Sequence, residues 1–297
     1  MNSLLHRMGY SASDRVVIVH ADDVGMCHAS TALLDQLFGV GVVTSASVMM
    51  PCAWAQTAAA WCAAHPTADV GVHFTLTSEW ATYRWRALSA ASRQNGLADA
   101  EGFLPRSSAE VFDHAQRDAV AAEIEAQYAV ALAWGMQPSH CDSHMGTMFG
   151  AGIFDSYVAL GQRYQVPVFV PRQSDADLAR RGFDAETRAF QLATLQQIEA
   201  SGHPFFDQMR GLELGDASAG LAATKQMFHE LPSGLTYFIH HPSLDTPELR
   251  GIAPDWQGRV RDFAVMTDPE LRTFVTSAGI HLIGWRDIQQ ALATANK

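Results

Sequence analysis

Short apolar segments alternate along the chain with longer segments in which apolar residues recur at helical spacing. Residues 15–21, RVVIVHA, are apolar and largely β-branched, which is typical of a strand buried on both faces. This segment and similar ones predict strands at 15–21, 42–50, 69–76, 138–143, 166–170, 235–240 and 280–283. Helical spacing predicts helices at 27–38, 53–64, 107–134, 154–164, 269–277 and 286–295, and a mostly helical stretch at 174–232. Residues 78–106 and 243–265 lack periodicity and are predicted to be irregular.

The alternation of strands and helices predicts a parallel sheet covered by helices. No linker rich in Gly, Ser or Pro interrupts the 297 residues, and we find no internal repeat. We therefore expect an α/β fold, built as a single irregular (β/α) barrel domain over residues 1–297. A doubly wound sheet is the competing architecture, but no G-x-G-x-x-G follows the first strand, which disfavours a dinucleotide site.

Composition and charge disfavour several classes of protein. Twenty basic and 31 acidic residues give a net charge of −11, which argues against a nucleic-acid partner or an anionic membrane surface. No apolar run reaches the roughly 18 residues of a membrane span, and residues 1–15 lack the apolar core of a signal peptide. The four cysteines form no C-x-x-C pair, which is typical of free thiols in a reducing compartment. We expect a cytoplasmic enzyme, and a homodimer stays open.

Side chains that bind metals or move protons are concentrated at the ends of the predicted strands. The first strand ends in His20, Asp22 and Asp23, and the strand near 240 ends in His240 and His241. With the segments around 73 and 140–144, these ends hold six of the 13 histidines. In a barrel of parallel strands the active site lies at the carboxyl ends. The placement therefore predicts an active site at that end of the sheet.

Asp22 and Asp23 are adjacent carboxylates, which repel each other unless a cation lies nearby. A divalent metal on one and a proton on the other would remove the conflict. The alternative is a solvated turn in which an aspartate caps the following helix. His73 interrupts an otherwise apolar strand and, taken alone, is equally explained as a core histidine. Convergence with other ligands would favour a site.

Residues 138–144, PSHCDSH, carry a sharper signal. Alternation along an extended chain places His140, Asp142 and His144 on one face and Cys141 on the other. Two imidazoles and a carboxylate suit a polar site, in which one histidine binds a metal and Asp142 orients a neighbouring imidazole. A solvent-facing polar edge is the alternative, but the flanking Met and Phe residues favour burial. We interpret Cys141 as a core residue.

The irregular stretch 78–106 is long, and loops of that length are often lids or binding loops. Trp80 and Trp85 could offer a stacking surface for a substrate; the alternative is that these aromatics pack in a satellite core. Arg84 and Arg86 of the same loop would suit a phosphate. Arg172, after the predicted strand 166–170, is a further candidate for contacting a sugar or an anion, and an arginine at the surface is an equal alternative.

In their order and spacing, four of these segments resemble the motifs of the YdjC-type carbohydrate deacetylases, the group that includes chitooligosaccharide deacetylase and the hopanoid-associated deacetylase. The matching segments are VHADDVG at 19–25, GVHFTLT at 71–77, PSHCDSH at 138–144 and HP at 241–242. They extend over nearly the whole chain. The resemblance implies an irregular (β/α) barrel related to polysaccharide deacetylases. It also implies that the partner is a small carbohydrate and that an acetyl group is removed from an N-acetylated sugar or sugar conjugate. Because the resemblance puts a sugar at this face, we predict that Trp80 or Trp85 forms one wall of the sugar site.

The resemblance further implies roles for individual residues. Asp23, His73 and His144 are the implied metal ligands, Asp22 the implied catalytic base, and His241 matches the general acid. One Asp and two His alone would suit zinc, whereas the resemblance favours magnesium. We expect one divalent metal ion, Mg²⁺ ahead of Zn²⁺.

In the implied mechanism Asp22 takes a proton from water while His241 protonates the leaving amine, and His140 and Asp142 support the site from behind. The chain departs from the family pattern after His144, where Met-Gly-Thr-Met replaces further histidines, and at Ser243, where a glycine is common. These departures predict an altered pocket beside the metal.

Two other functions fit the same residues. One is another metal-dependent hydrolase, a phosphoesterase or a different amidase, in which Arg84 and Arg86 would bind a phosphate. The other is a carbohydrate-binding protein that kept the barrel and lost turnover, for which the missing histidines after His144 are the motivation. A panel of N-acetyl sugars and aryl phosphates, with and without EDTA, separates these functions.

Overall fold

A computed structural model describes residues 3–150, 152–180, 182–200 and 202–295. Within these ranges seven parallel strands form one sheet. The strands are β1 (Arg15–Val24), β2 (Ser45–Val48), β3 (Val70–Phe74), β4 (Cys141–Ser143), β5 (Gln208–Gly211), β6 (Gly234–His240) and β7 (Ile280–Leu282).

Helices occupy most of the connections between the strands. The α-helices are α1 (Ser3–Arg7), α2 (Leu34–Val40), α3 (Ala55–Ala64), α4 (Ser108–His114), α5 (Arg117–Ala133), α6 (Phe154–Tyr164), α7 (Asp175–Arg180), α8 (Ala185–Ala200), α9 (Leu221–His229), α10 (Pro247–Ile252), α11 (Trp256–Met266), α12 (Pro269–Ser277) and α13 (Trp285–Ala295). A 3₁₀ segment, His144–Phe149, follows β4 directly.

The strand order is β4-β3-β2-β1-β6-β5, and β7 pairs with the beginning of β1. Two isolated parallel bridges, Cys141 to Val168 and Pro171 to Phe206, connect β4 through residues 168–171 to the chain just before β5. The sheet therefore curls toward closure, which confirms the expected (β/α) barrel-like architecture. Among the described residues, every helix is too short or too polar to cross a membrane.

Burial of the central strands explains their composition. In β1 every residue after Arg15 is buried, and all of β2 and β3 is buried, because helices cover the outside of the sheet and side chains fill its inside. Gly71 of β3 shows how tightly β3 and β4 approach: a Cβ there would lie 2.5 Å from the carbonyl oxygen of His140. Only glycine fits at that position.

Several elements differ from the sequence prediction. The stretch 243–265 is not irregular but contains α10 and α11, and the Thr246 side chain caps α10 by accepting a hydrogen bond from the Leu249 amide at 3.1 Å. The predicted helix 27–38 begins only at Leu34. The predicted helix 107–134 is two helices, α4 and α5, and β5 was not predicted.

The loop 78–106 contains no helix or strand, as predicted. Its middle is fastened to α5, because the buried Glu123 carboxylate accepts hydrogen bonds from the amides of Leu88 and Ser89 at 3.1 and 2.8 Å. The Arg84 guanidinium lies 2.9 Å from Asp99 within the loop. The loop is therefore packed onto the barrel as a fixed wall beside the carboxyl end of β3.

Candidate active site

The carboxyl ends of the strands open into a cavity of about 1050 Å³. Four strands end at this cavity: β1, β3, β4 and β6. Strand β4 passes there directly into the 3₁₀ segment. The predicted catalytic and metal-binding side chains that line the cavity are Asp22, Asp23, His73, His144 and His241. The structure thus brings together all five residues that the motifs single out.

Asp23, His73 and His144 form a compact cluster of possible metal ligands. Asp23 Oδ1 lies 3.4 Å from His73 Nε2 and 3.1 Å from His144 Nδ1. One possible ligand atom from each residue lies within 4.8 Å of the ligand atoms of the other two, and all three residues are buried. One carboxylate and two imidazoles are a donor set that divalent metals accept in proteins. The residues present therefore fit a metal.

In both His73 and His144, one ring nitrogen, the inner one, faces Asp23, and the other, the outer one, forms a hydrogen bond with a second carboxylate. His73 Nδ1 donates to Asp142 Oδ1 at 2.7 Å, and His144 Nε2 donates to Glu79 Oε1 at 3.1 Å. Because a carboxylate accepts only, these bonds fix the proton on the outer nitrogen and leave the inner nitrogen facing Asp23. The prediction that Asp142 orients an imidazole agrees with this arrangement, whereas sequence reasoning missed Glu79.

The same carboxylates control the charge of the imidazoles. Burial disfavours the charged form of His144, but Glu79 and Asp23 outweigh it and raise its pKa to about 9. Burial opposes the charge on His73 as well, yet Asp142 and Asp22 raise its pKa well above the usual value. Without a metal, both imidazoles are therefore protonated at neutral pH, so a metal would displace a proton from each.

Asp142 lies at the centre of the buried polar network behind the cluster. Its Oδ2 accepts hydrogen bonds from Ser47 Oγ at 3.0 Å and Tyr237 OH at 3.1 Å, and it lies 2.8 Å from His20 Nε2. Burial would raise the pKa of Asp142, but His73 and His20 hold it well below its usual value. Asp142 is therefore a permanent anion behind the cluster.

His140 lies deeper than the other predicted residues. Its ring stacks on Trp285 with centroids 4.7 Å apart, and Nε2 is 3.9 Å from Asp142 Oδ2. Burial, against the attraction of Asp142, lowers the pKa of His140 well below the usual value. Its neutral ring packs behind Asp142 and does not line the cavity among the described residues.

Asp22 lies between two imidazoles at the cavity surface. Its Oδ1 is 3.0 Å from His20 Nε2, and its Oδ2 is 3.7 Å from His241 Nε2. The His241 amide donates to Asp262 Oδ2 at 2.8 Å, which fixes the backbone at the end of β6. The structure thus places a carboxylate and an imidazole beside each other in the cavity lining, and their roles as base and acid stay predictions.

A backbone irregularity brings Asp22 and Asp23 to the same cavity. Adjacent residues of a regular strand point to opposite faces, but Asp23 has φ = 64° and the pairing of β1 with β2 shifts register between Ala21 and Val24. Such a left-handed conformation costs energy and is concentrated at functional sites. Both carboxylates are buried, so the alternative of a solvated turn is wrong.

Arg259 is the residue of the site that sequence reasoning missed most clearly. It belongs to α11, and its Nη1 donates to Asp23 Oδ2 at 2.8 Å. Burial would raise the pKa of Asp23, but Arg259 and then His144 hold it well below the usual value. No local pattern could have revealed this contact, because the two residues are 236 positions apart.

The predicted sugar-binding residues separate into two groups. Trp80 and Arg172 line the cavity. Trp85 is 5 % exposed, its indole N–H donates to the Thr77 carbonyl at 2.7 Å, and it packs in a small apolar cluster behind the wall. Arg172 pairs with Glu199 and Asp207, each at 2.8 Å. The substrate role of these three side chains stays a prediction.

The loop arginines and the residues after His144 lie in different places. Arg84 and Arg86 donate to the carbonyls of Leu104 and Gly102 within the loop, and neither is among the described residues that line the cavity. The observation that favoured a phosphoesterase is thereby removed. Met145, 58 % exposed, lines the cavity beside His144, and the predicted effect of the residues after His144 on the pocket stays a prediction.

A curled parallel α/β sheet with a buried His/Asp cluster at its carboxyl end defines the class of this protein. The chain belongs to the YdjC-like family, whose model matches residues 16–277. The family resemblance inferred from the four motifs is thus confirmed.

Relatives similar in sequence carry related descriptions. The chain is 31 % identical over 294 residues to a carbohydrate deacetylase of Thermus thermophilus, covering 97 % of this chain and 99 % of that one. It is 28 % identical over 277 residues to a carbohydrate deacetylase of Geobacillus stearothermophilus, covering 92 % and 98 %. A chitooligosaccharide deacetylase of Yersinia enterocolitica is 34 % identical over 135 residues, 44 % of this chain and 49 % of that one.

A solved structure supports the fold. A candidate cellobiose-phosphate cleavage protein of Enterococcus faecalis superimposes with a TM-score of 0.75 at 21 % identity, covering 93 % of this chain and 99 % of that chain. At this identity the likeness extends to the architecture alone.

Proposed function

We propose that this protein is a metal-dependent carbohydrate deacetylase that removes an acetyl group from an N-acetylated sugar or sugar conjugate. The observation that carries the proposal is the cluster of Asp23, His73 and His144, in which the outer nitrogen of each imidazole is bound by a carboxylate. This arrangement orients ligands for a metal. The carbohydrate deacetylases among the relatives supply the reaction class.

Asp23, His73 and His144 would hold the ion. When bound, it would supply Lewis acidity, which polarises the acetyl carbonyl and makes a water more acidic. The resemblance favours Mg²⁺ ahead of Zn²⁺, whereas two imidazole ligands are more usual for Zn²⁺. Elemental analysis of the purified protein decides between them.

Asp22 would act as the base and His241 as the acid. Asp22 lies beside the ligand Asp23 at the cavity surface and is not itself needed as a ligand, so it can accept a proton from the attacking water. His241, 3.7 Å from Asp22, can donate a proton to the departing amine nitrogen. Without that proton the amine is a poor leaving group. His20, on the other side of Asp22, keeps the carboxylate turned toward the cavity.

Trp80 would form one wall of the sugar site, since its ring lines the cavity at the start of the loop 78–106. The flat face of an indole packs against the apolar face of a sugar ring. Arg172, which also lines the cavity, would contact sugar hydroxyls. The cavity volume of about 1050 Å³ leaves room for more than one sugar unit.

The test is acetate release from a panel of N-acetyl sugars and their short oligomers, with aryl phosphates as the competing substrates. We expect acetate from at least one sugar, loss of that activity with EDTA, and recovery with Mg²⁺ or Zn²⁺. H73A should lose bound metal and keep the fold, while H65A, on the exposed end of α3, should keep both. Phosphate release without acetate release, or unchanged metal content in H73A, would refute the proposal.

A further inference from the structure

Arg259 makes three separate contacts although it is only 4 % exposed. Its Nε and Nη2 bind the two oxygens of Asp255 at 2.9 and 3.0 Å, and its Nη1 binds Asp23 Oδ2 at 2.8 Å. The guanidinium carbon lies 5.5 Å from the centroid of the Trp80 ring. Asp255 precedes α11, so the fork of hydrogen bonds anchors Arg259 to its own helix before it reaches the cavity.

The contact with Arg259 gives the two oxygens of Asp23 different partners. Oδ2 is taken by Arg259, and Oδ1 is left facing the inner nitrogens of His73 and His144. An oxygen that already accepts a hydrogen bond from an arginine is a weaker donor to a metal, and Oδ1 is the oxygen that faces both imidazoles, so the geometry favours a metal contact through Oδ1. The left-handed backbone of Asp23 gives this orientation a second constraint.

Arg259 also contacts Trp80, the residue predicted to form a wall of the sugar site. A guanidinium within about 6 Å of an indole centroid is attracted to the ring. The Trp80 carbonyl is held separately, by Arg106 Nη1 at 2.9 Å, so Arg259 supports the ring and Arg106 the backbone. Arg259 therefore contacts the metal cluster through Nη1, and its guanidinium carbon lies over the Trp80 ring.

We propose that Arg259 is a positioning residue that makes Asp23 a one-oxygen ligand and holds Trp80 in place, so that the metal cluster and the sugar wall share one support. This inference rests on the proposed metal site. Lysine could not replace the arginine, because one ammonium cannot bind both oxygens of Asp255 and Asp23 in a fixed plane.

The variants R259Q and R259K test the proposal, and R250Q is the matched control. Arg250 makes the same kind of fork with Asp245, at 2.7 and 2.6 Å, and lies 4.9 Å from the Trp256 ring. It differs from Arg259 in being exposed and in pairing with Asp245, which does not line the cavity among the described residues. Binding of Zn²⁺ and of Mg²⁺ is measured by calorimetric titration of metal-free protein. Loss of a partner behind a metal ligand typically weakens binding by about 10–100-fold. We expect that loss in R259Q and R259K but not in R250Q.

A second measurement follows the wall without any metal. Hydrogen exchange of metal-free protein should be faster for peptides covering residues 78–85 in R259Q than in the native chain, and unchanged in R250Q. Native metal affinity in R259Q, or recovery of it in R259K, would overturn the proposal, because charge alone would then suffice. Unchanged exchange at 78–85 would overturn the link to Trp80. If R259Q does not fold, R259K alone decides the outcome.

Failure of the proposed function has a different signature. In that case the native protein itself binds neither Zn²⁺ nor Mg²⁺ in the same titration, and the role of Arg259 as support of a metal ligand falls with it. Binding by the native protein with no difference between R259Q and R250Q instead refutes only the role of Arg259.

Discussion

Replacing Asp142 with asparagine should weaken metal binding, although Asp142 is not among the predicted ligands. His73 Nδ1 donates to Asp142 Oδ1 at 2.7 Å, and Nε2 of the same ring faces Asp23. Asparagine must present an amide N–H on one side. If that side faces His73, Nδ1 becomes an acceptor and the imidazole proton moves to Nε2, the nitrogen that would bind the metal.

The opposite orientation of the amide is also costly. The amide nitrogen would then face the donors around Oδ2, which come from Ser47, Tyr237 and His20. A buried polar group left without its partner costs about 1–3 kcal/mol. Loss of the carboxylate behind a ligating histidine typically weakens metal binding by about 10–100-fold, which corresponds to about 1.4–2.7 kcal/mol. The two figures agree, so we expect D142N to bind the ion about 10–100-fold more weakly.

The assay is competition for the metal between the protein and a chromophoric chelator at neutral pH, with native protein and D69N as references. Asp69 is also a buried carboxylate and accepts a hydrogen bond from the Arg286 amide at 2.9 Å, but it lies outside the cavity lining. D69N should therefore lose stability and keep metal affinity. Circular dichroism confirms that both variants are folded.

Either of two results would refute the reasoning about Asp142. If D142N binds the metal as tightly as the native protein while D69N also does, the tautomer of His73 is not controlled by Asp142. If D142N and D69N lose metal affinity equally, the loss comes from a general decrease in stability and not from the hydrogen bond between Asp142 and His73.

Three further predictions concern the base, the protonation of the ligands and the wall. D22N should retain the metal and lose deacetylation by about 10²–10⁴, the usual contribution of a positioned base, measured by acetate release; a near-native rate would place the base elsewhere. Because the pKa of His144 is raised to about 9, metal affinity should increase with pH up to about 9. In metal-free protein the charge on His144 also contributes to the free energy of unfolding. That contribution is complete below the ordinary histidine pKa of about 6.5 and should be lost as the pH rises to about 9. Metal titrations and melting curves at several pH values check the two predictions, and curves that do not change with pH contradict them. W80A should raise KM with metal affinity unchanged, whereas W85A should lower the melting temperature because its ring is buried; an equal effect of both on KM would contradict this distinction.

The accuracy of the fold prediction depended on where charges are buried. Helix α12 was predicted with its exact ends, because Asp268 caps it and Pro269 begins it. Helix α11 was missed, because its buried face includes Arg259, Arg261 and Asp262, which conceal the apolar periodicity. Those charges are tolerated inside because they are paired, and pairing depends on distant parts of the chain.

Strand β5 was missed for the opposite reason. Met209 and Arg210 are exposed, so no apolar run or alternation marks the segment. Its extended conformation comes from the hydrogen-bonded ladder with β6, in which Gln208 lies opposite Thr236. A strand defined by its neighbour more than by its own side chains leaves little trace in the sequence.

The site shows the same division between local and distant information. The motif residues were identified because they stand at strand ends, where β3 places His73 opposite Asp142 on β4. Glu79 lies only six positions after His73, and a carboxylate at that spacing is a usable sequence signal for a partner of a histidine in the site. The choice between Trp80 and Trp85 depends on burial, which the spacing of two tryptophans in an irregular loop does not reveal.

The left-handed backbone of Asp23 restricts which residues the position can accept. Asparagine, aspartate and glycine adopt positive φ with the least strain, and other side chains add about 1–2 kcal/mol. An alanine substitution there would therefore confound the loss of a ligand with the loss of backbone stability, and asparagine is the cleaner probe. By the same property, a single change from aspartate to asparagine would remove the charge of a proposed metal ligand at little cost to the fold.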